Sequence, residues 1–301
     1  MDVELDLPEE WRRAAEAVEA EGGIALILGA SSAGKTTLLK YLAGRLGHRG
    51  QRVGIVDADI GQSTLGPPAT ISGVVFDPHS QPIETVEPQE LFFVGSTSPA
   101  GYLLQIVVGT KKLVEWVESS GASFTLVDTT GMVQGAVASQ LKFHKIDLLR
   151  PRHLLVLQRS GELESLVRPF VDRKTLRIYR LPVSPMARSR NPQERKAYRE
   201  KKFRSYFKGA SVELLSISRL AFLHQTASHF TRSKGGLPRY LLVGLNDAEN
   251  RTLALGIVEA FDRESQELFI YTPLRDLTPL RYLVLGSLRV DPNGRELVWD
   301  P

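Results

Sequence analysis

The 301-residue chain contains no cysteine, which excludes a disulfide framework, a thiolate metal centre and a cysteine nucleophile. No apolar run approaches the ~20 residues of a membrane span, and the acidic start MDVELDLPEE lacks the basic segment and apolar core of a secretory leader. The reading is therefore a soluble cytoplasmic protein with no membrane partner. The six histidines, at positions 48, 79, 144, 153, 224 and 229, show no metal-ligand spacing and read as surface or packed side chains. Net charge is small as well: 38 Lys and Arg against 34 Asp and Glu leave +4, a sum that says little about partners until its distribution is known. What remains is ordinary globular material, 42% apolar and 24% charged, long enough for one large domain or a medium domain with a smaller companion.

Pro8 stands ahead of the Ala- and Glu-rich segment Glu9 to Glu21, which reads as an opening helix. Short apolar runs follow at Ile24 to Leu28, Val53 to Val56, Leu91 to Val94, Phe124 to Val127, His153 to Leu157 and Leu176 to Tyr179. Helical periodicity fills several of the gaps, at Lys35 to Leu46, Tyr102 to Glu118, Ala136 to Leu149 and Glu162 to Val171. Near-continuous apolar strands separated by helices predict a doubly wound α/β domain whose parallel sheet is covered on both faces. After Lys208 the texture changes to strand-like runs, Tyr240 to Leu245, Thr252 to Phe261, Glu267 to Tyr271 and Tyr282 to Val290, joined by turns such as Pro292-Asn293-Gly294. Residues 1–209 are thus expected to form the α/β domain and residues 210–301 a small β-rich C-terminal domain.

Directly after the first apolar run comes Gly29-Ala30-Ser31-Ser32-Ala33-Gly34-Lys35-Thr36-Thr37, followed by the amphipathic LLKYLAGRL. This is G-x-x-x-x-G-K-[ST] in its required context of strand, loop and helix, the P-loop of a nucleoside triphosphatase or kinase. Glycines let successive N–H groups curl inward around phosphate, and the helix N-terminus adds its positive dipole end. Lys35 would reach the β and γ phosphates and the Thr36 hydroxyl would ligate Mg²⁺. The second apolar run ends in Asp57-Ala58-Asp59-Ile60-Gly61-Gln62, where strand alternation puts both aspartates on one side. Asp59 is the candidate to orient or deprotonate an acceptor hydroxyl and to share in holding the metal; Asp57 is read as support for Asp59 or for the metal, and which of the two acts as base stays open.

A further strand runs into Asp128-Thr129-Thr130-Gly131-Met132, a D-x-x-G turn that would also suit a GTPase. The nearest approach to a guanine-selecting N/T-K-x-D tetrad is His144-Lys145-Ile146-Asp147, which begins with His and precedes its strand, and it reads as the solvated end of a helix. From Arg188 to Lys208 nine Lys or Arg face two Glu, so this segment carries +7 and the rest of the chain −3. From Pro192 it can be helical, with Arg195 and Arg199 at i, i+4 on one face. Such a cationic face could stabilise a transferring phosphoryl group, while Tyr198, Phe203, Tyr206 and Phe207 either pack the helix or stack on bases.

In this order, GASSAGKTT, DADIGQ, FVGSTSPAG, DTTGMV and the arginine-rich segment ending RSYFKG resemble the polynucleotide 5′-hydroxyl kinase family, over most of the chain. The resemblance extends to LLVGLNDAENRTLALGIVEAFD and LFIYTPL in the C-terminal part. It implies ATP and Mg²⁺ as cofactors, RNA or DNA with a 5′-hydroxyl end as partner, and γ-phosphoryl transfer to that hydroxyl. It places the ATP-binding loop at Gly29 to Thr37 and a D-x-x-Q element beside the acceptor at Asp59 and Gln62. A clasp that grips phosphates or nucleic acid falls at Thr129, Thr130, Gly131 and Met132, and an R-x-x-x-R lid at Arg195 and Arg199. Where the family's clasp carries tryptophan this chain has Met132, a thioether that can still pack on a base edge. A GTPase or metallochaperone and a non-catalytic ATP-binding scaffold of RNA processing are the alternatives.

Overall fold

The computed structural model describes residues 7–46, 51–78, 81, 83–184, 187, 190–224, 237–262 and 264–299. Expectations that involve His48, His79, Arg188 or His229 lie outside the described residues. The helices are α1 Glu9–Glu21, α2 Lys35–Leu46, α3 Leu103–Ser119, α4 Gly135–Leu149, α5 Glu164–Val167 and α6 Pro192–Tyr206. The strands of the N-terminal part are β1 Gly23–Gly29, β2 Val53–Ala58, β3 Thr70–Phe76, β4 Glu90–Phe93, β5 Phe124–Thr129, β6 His153–Gln158 and β7 Arg177–Pro182. Those that follow are β8 Ser211–Ser216, β9 Ala221–His224, β10 Leu241–Asn246, β11 Thr252–Asp262, β12 Glu267–Thr272, β13 Tyr282–Val290 and β14 Glu296–Leu297. The chain divides into two compact units, one of Met1–Asp59, Ser72–Gln89 and Thr110–Arg190, the other of Ile60–Ile71, Glu90–Gly109 and Asn191–Pro301.

The first sheet has the order β4-β3-β2-β5-β1-β6-β7. From β2 to β7 neighbouring strands are parallel, and β2, β5 and most of β1 are buried along their length, as strands covered on both faces should be. β3, by contrast, runs antiparallel to β2, so the expected parallel sheet is a mixed one. The physical reason is the connection: residues 59–69 contain no helix, and a strand that returns without a crossover element can only lie antiparallel. Thr, Ser and Gly dilute TISGVVF enough to hide it among the apolar runs, although every residue of it is buried. α1 packs Trp11, Ala14, Ala15 and Val18 inward, and the Trp11 indole N–H donates to Pro182 O at 3.0 Å. The expected helix Glu162 to Val171 is α5 followed by a 3₁₀ turn, Arg168–Phe170, whose proline removes a helical N–H.

The second unit is built on the sheet β14-β13-β10-β11-β12-β8, with β9 added parallel to β13. Alternate residues of its central strand serve two hydrophobic clusters: Leu241, Val243 and Leu245 point to one, Leu242 to the other. The second cluster is closed by Phe203 and Phe207 of the α6 region together with Ala69 and Phe93. Where texture suggests a division near Gly209, α6 therefore packs with the C-terminal strands. Its start is fixed locally: Asn191 Oδ1 accepts the Glu194 N–H at 2.8 Å, Glu194 returns the bond to Asn191 N–H at 2.8 Å, and Pro192 occupies the first turn. The aromatic residues of the basic segment are thus packing groups, since Phe203 is 0% exposed and Tyr206 Oη accepts the Leu255 N–H at 2.9 Å. Phe203→Ala is expected to cost about 3–5 kcal/mol, read as a lowered urea midpoint with an unchanged slope.

Candidate active site

β1 ends at Gly29, and the chain turns through a bond from Ala33 N–H to Ala30 O, 3.2 Å, before α2 begins at Lys35. Ser32 at φ +61° and Gly34 at φ +94° both occupy the left-handed region, the kind of alternation that aims successive backbone N–H groups into one concavity. The first-turn N–H groups of α2 have no intrahelical acceptor, as in any helix, and carry the positive end of its dipole. Ser31 and Thr37 are exposed, Ser32, Gly34 and Thr36 half-buried, and Ala33 buried. Lys35 is only 6% exposed; its ammonium donates to Gly29 O at 3.2 Å and Ala30 O at 3.0 Å. A ring of N–H donors with an ammonium folded over it fits a polyphosphate. The backbone N–H of Arg190, at the start of the basic segment, donates to Ser32 Oγ at 3.4 Å.

Two strands away β2 presents Asp57, directly opposite Asp128 of β5 in parallel register. Both are buried, at 1% and 2% exposure. Asp57 Oδ1 accepts the Asp59 N–H at 3.1 Å, so Asp59, half-buried just beyond the strand, has its backbone pinned by Asp57. Burial raises the Asp128 carboxyl to about 7; the Lys35 ammonium opposes the rise, and Asp57 and Asp59 add to it.

Two lysines of α4 complete this group. Lys145 is 1% exposed, which corrects the expectation of a solvated helix end: only His144 and Asp147 of that tetrad face outward. Lys142, 0% exposed, was not singled out by motif reading at all. A signal was present, because the buried residues Ala138, Leu141, Lys142, Lys145, Ile146 and Leu149 form an i, i+3, i+4, i+7 stripe that places both lysines on the inner face. Burial pushes the Lys142 amine well below its ordinary range, with Lys145 and Lys35 adding to the effect. Burial brings Lys145 down to about 7 despite the attraction of Asp59, Asp128 and Asp57, and its Nζ has no hydrogen-bond partner.

The Thr129 to Met132 turn lies against the phosphate-binding loop. A Cβ on Gly131 would fall 2.6 Å from both N and Cα of Ser31, so only glycine lets the two backbones approach this closely. Thr129 is fully buried; its hydroxyl donates to Ile27 O at 2.8 Å and accepts from Lys142 at 2.9 Å. Thr130, 4% exposed, accepts from the same ammonium through its carbonyl, 2.6 Å, and its hydroxyl, 3.4 Å. Both hydroxyls are spent inside the protein, and half-buried Gly131 and Met132 are what the turn offers to a ligand.

Within the second unit, Gln62 and Arg195 come together, Gln62 Nε2 donating to the Arg195 carbonyl at 3.4 Å. Tyr198 Oη donates to Ser63 O at 2.8 Å and Lys202 Nζ to Thr64 O at 2.5 Å, which fastens the basic helix to the segment after Asp59. The Arg199 fork is held by both carboxylate oxygens of Glu296, the second bond at 2.8 Å. Among the described residues no helix is long and apolar enough to cross a membrane, and no group of three or more His, Asp or Glu side chains is arranged to hold a metal by itself.

Residues 29–209 match the family model described as the mRNA cleavage and polyadenylation factor CLP1 P-loop. The chain belongs to this family. It is 30% identical over 322 residues to the polyribonucleotide 5′-hydroxyl-kinase of Methanocaldococcus jannaschii, covering 90% of this chain and 88% of that protein. With the polyribonucleotide 5′-hydroxyl-kinase of Pyrococcus furiosus it shares 31% over 320 residues, 90% of this chain and 89% of that one. Among solved structures, Clp1p in the wild-type Clp1p–Pcf11p complex has the same fold, with a TM-score of 0.70 at 14% identity over 93% of this chain and 78% of that chain. The family match spans the P-loop, Asp57, Asp59, the 128–132 turn, both buried lysines and α6.

Lys145 generates a stability prediction whose sign follows from its lowered value. The folded protein sheds this proton near 7 and the unfolded chain near 10.5, so between them the unfolded state binds more protons and stability rises with pH. Lys145→Met, which keeps an unbranched side chain and removes the unpartnered ammonium, is expected to stabilise by roughly 1–3 kcal/mol at pH 6.5. Calorimetry should show a higher midpoint at that pH and an advantage that shrinks by pH 10.

Proposed function

We propose that the protein is an ATP-dependent polyribonucleotide 5′-hydroxyl kinase. One observation carries the reading: a phosphate-cradling loop with a buried lysine lies in the same compact unit as carboxylates at the ends of the neighbouring parallel strands. This is the edge of an α/β sheet where donor and acceptor meet. Its similarity to two archaeal enzymes bearing this name, along nearly their whole length, supports the same substrate class. The reacting hydroxyl is the same group at a DNA end, so DNA is proposed as a second acceptor.

The roles follow from the chemistry each group can do. Backbone N–H groups from Gly29 to Thr37 bind the phosphates, and Lys35 exchanges the carbonyls of Gly29 and Ala30 for phosphate oxygens, a stronger charge-assisted pairing. Thr36 and Asp59, a hydroxyl and a carboxylate, are the oxygen donors that suit Mg²⁺ and would hold it; when bound it neutralises phosphate charge. Asp59 accepts the proton of the 5′-hydroxyl as its oxygen bonds to the γ-phosphorus and the bond to the β-phosphate oxygen breaks. Asp57 keeps Asp59 in place through its backbone. Gln62 and the Gly131-Met132 turn contact the polynucleotide, and Arg195 and Arg199 neutralise charge that develops on the transferred group.

Transfer of labelled γ-phosphate from ATP to a 5′-hydroxyl oligoribonucleotide tests the reading, and Lys35→Ala is expected to abolish it. Undiminished transfer by that variant sinks the assignment, and a protein that binds ATP without any transfer is a scaffold. Arg195→Ala and Arg199→Ala should lower kcat by about 10²-fold or more while ATP affinity stays within a few fold. An equal loss of ATP binding makes these arginines ground-state contacts.

A further inference from the structure

We propose that Lys142 is a positioning residue for phosphoryl transfer, an ammonium on α4 that holds the Thr129-Thr130-Gly131 turn against the phosphate-binding loop. The inference rests on the kinase reading above and adds to it a residue that no motif contains.

An ammonium has three donors, and Lys142 directs bonds to three oxygens of one turn, the Thr129 hydroxyl, the Thr130 carbonyl and the Thr130 hydroxyl. The turn is thereby fixed in side chain and in backbone. The Thr129 hydroxyl passes the restraint on to Ile27 O in β1, two residues before the loop starts. Thr129 N–H donates to Asp128 Oδ1 at 2.7 Å, which fixes that carboxylate against the start of the turn. Gly131 then meets Ser31 with no room for a methyl group. The path from α4 through the turn to the loop is continuous, and every member lies within the first unit.

Stability alone does not explain this lysine. A buried ammonium carries a desolvation penalty, and an apolar side chain of the same length would fill the stripe without it. Three directed bonds to one turn give what apolar packing cannot: a carbonyl and two hydroxyls set to within tenths of an ångström. Transfer of a phosphoryl group depends on that kind of precision, because its catalysis is mostly positioning and charge placement. Lys145, one turn further along the same stripe and equally buried, makes no hydrogen bond. It supplies the comparison in which burial and charge are matched but the directed bonds are missing.

The test compares Lys142→Met, Thr129→Val, the double variant and Lys35→Ala. Kinase kinetics are measured with ATP and a 5′-hydroxyl oligoribonucleotide, ATP affinity by calorimetry, and amide exchange on peptides covering residues 128–133. Lys142→Met is expected to fold with a thermal midpoint no lower than wild type, to lower kcat at least tenfold with ATP affinity within threefold, and to speed exchange selectively in that peptide. Because Lys142 and Thr129 share one bond while Lys142 also holds Thr130 and the Thr129 hydroxyl also reaches Ile27 O, the double variant should lose more than the worse single one but less than the two losses combined. Wild-type kcat in Lys142→Met, unchanged exchange at 128–133, or a loss of activity matched by a falling midpoint each overturns the inference. Retained transfer in Lys35→Ala, or none in wild type, overturns the kinase reading instead, and the exchange data still decide whether Lys142 holds the turn.

Discussion

Charge buried at the ends of β2 and β5 is the constraint around which the first unit is arranged. Asp57 and Asp128 lie side by side in parallel register with almost no exposure, and Asp59 stands just beyond them. Burial raises the affinity of the Asp128 carboxyl for its proton; the Lys35 ammonium opposes the rise, and Asp57 and Asp59 add to it. The fold answers with three ammonium groups, one from the loop after β1 and two from α4. Lys35 is the one that can leave, because its present partners are carbonyls of its own loop. The α4 lysines cannot, since they are enclosed by the helix stripe that carries them.

That division of labour connects the loop to its surroundings. A P-loop by itself binds phosphate with backbone and one lysine; what it lacks is a reference against which an acceptor can be placed. Here the 128–132 turn is held beside the loop, since Gly131 rests on Ser31 and the preceding threonines are fastened to β1 and α4, which is the support the proposed acceptor role draws on. In the second unit a different device holds the basic helix. Its aromatic residues anchor it in the core of the C-terminal sheet, and Glu296, Ser63 and Thr64 occupy several of its polar groups. The helix is a built part of that unit.

Much of this was legible before any coordinates. The apolar runs located β1, β2, β4, β5, β6 and β7, and prolines marked the starts of α1 and α6, because those cues are local. β3 escaped because its direction depends on a connection without a helix. β8 and β9 escaped because exposed Val212, Leu214 and Leu223 blur the alternation of sheet-edge strands. At the site, motif spacing points to Lys35, Asp57, Asp59 and the 129–132 turn because those residues are close along the chain. That the Thr129 and Thr130 hydroxyls bond inside the protein depends on packing, which no local pattern carries.

The amino-acid sequence by itself determined the phosphate loop, the aspartate pair at the end of β2, the basic helix and the family, since each is written in residues adjacent along the chain. Tertiary structure decided which charges are buried together. Lys142 and Lys145 are ordinary helix lysines until α4 is laid against β5, and Asp128 is an ordinary strand-end aspartate until β2 brings Asp57 beside it. Desolvation and Coulomb energy depend on distance and burial, not on chain position, so that part of the chemistry exists only in the folded molecule.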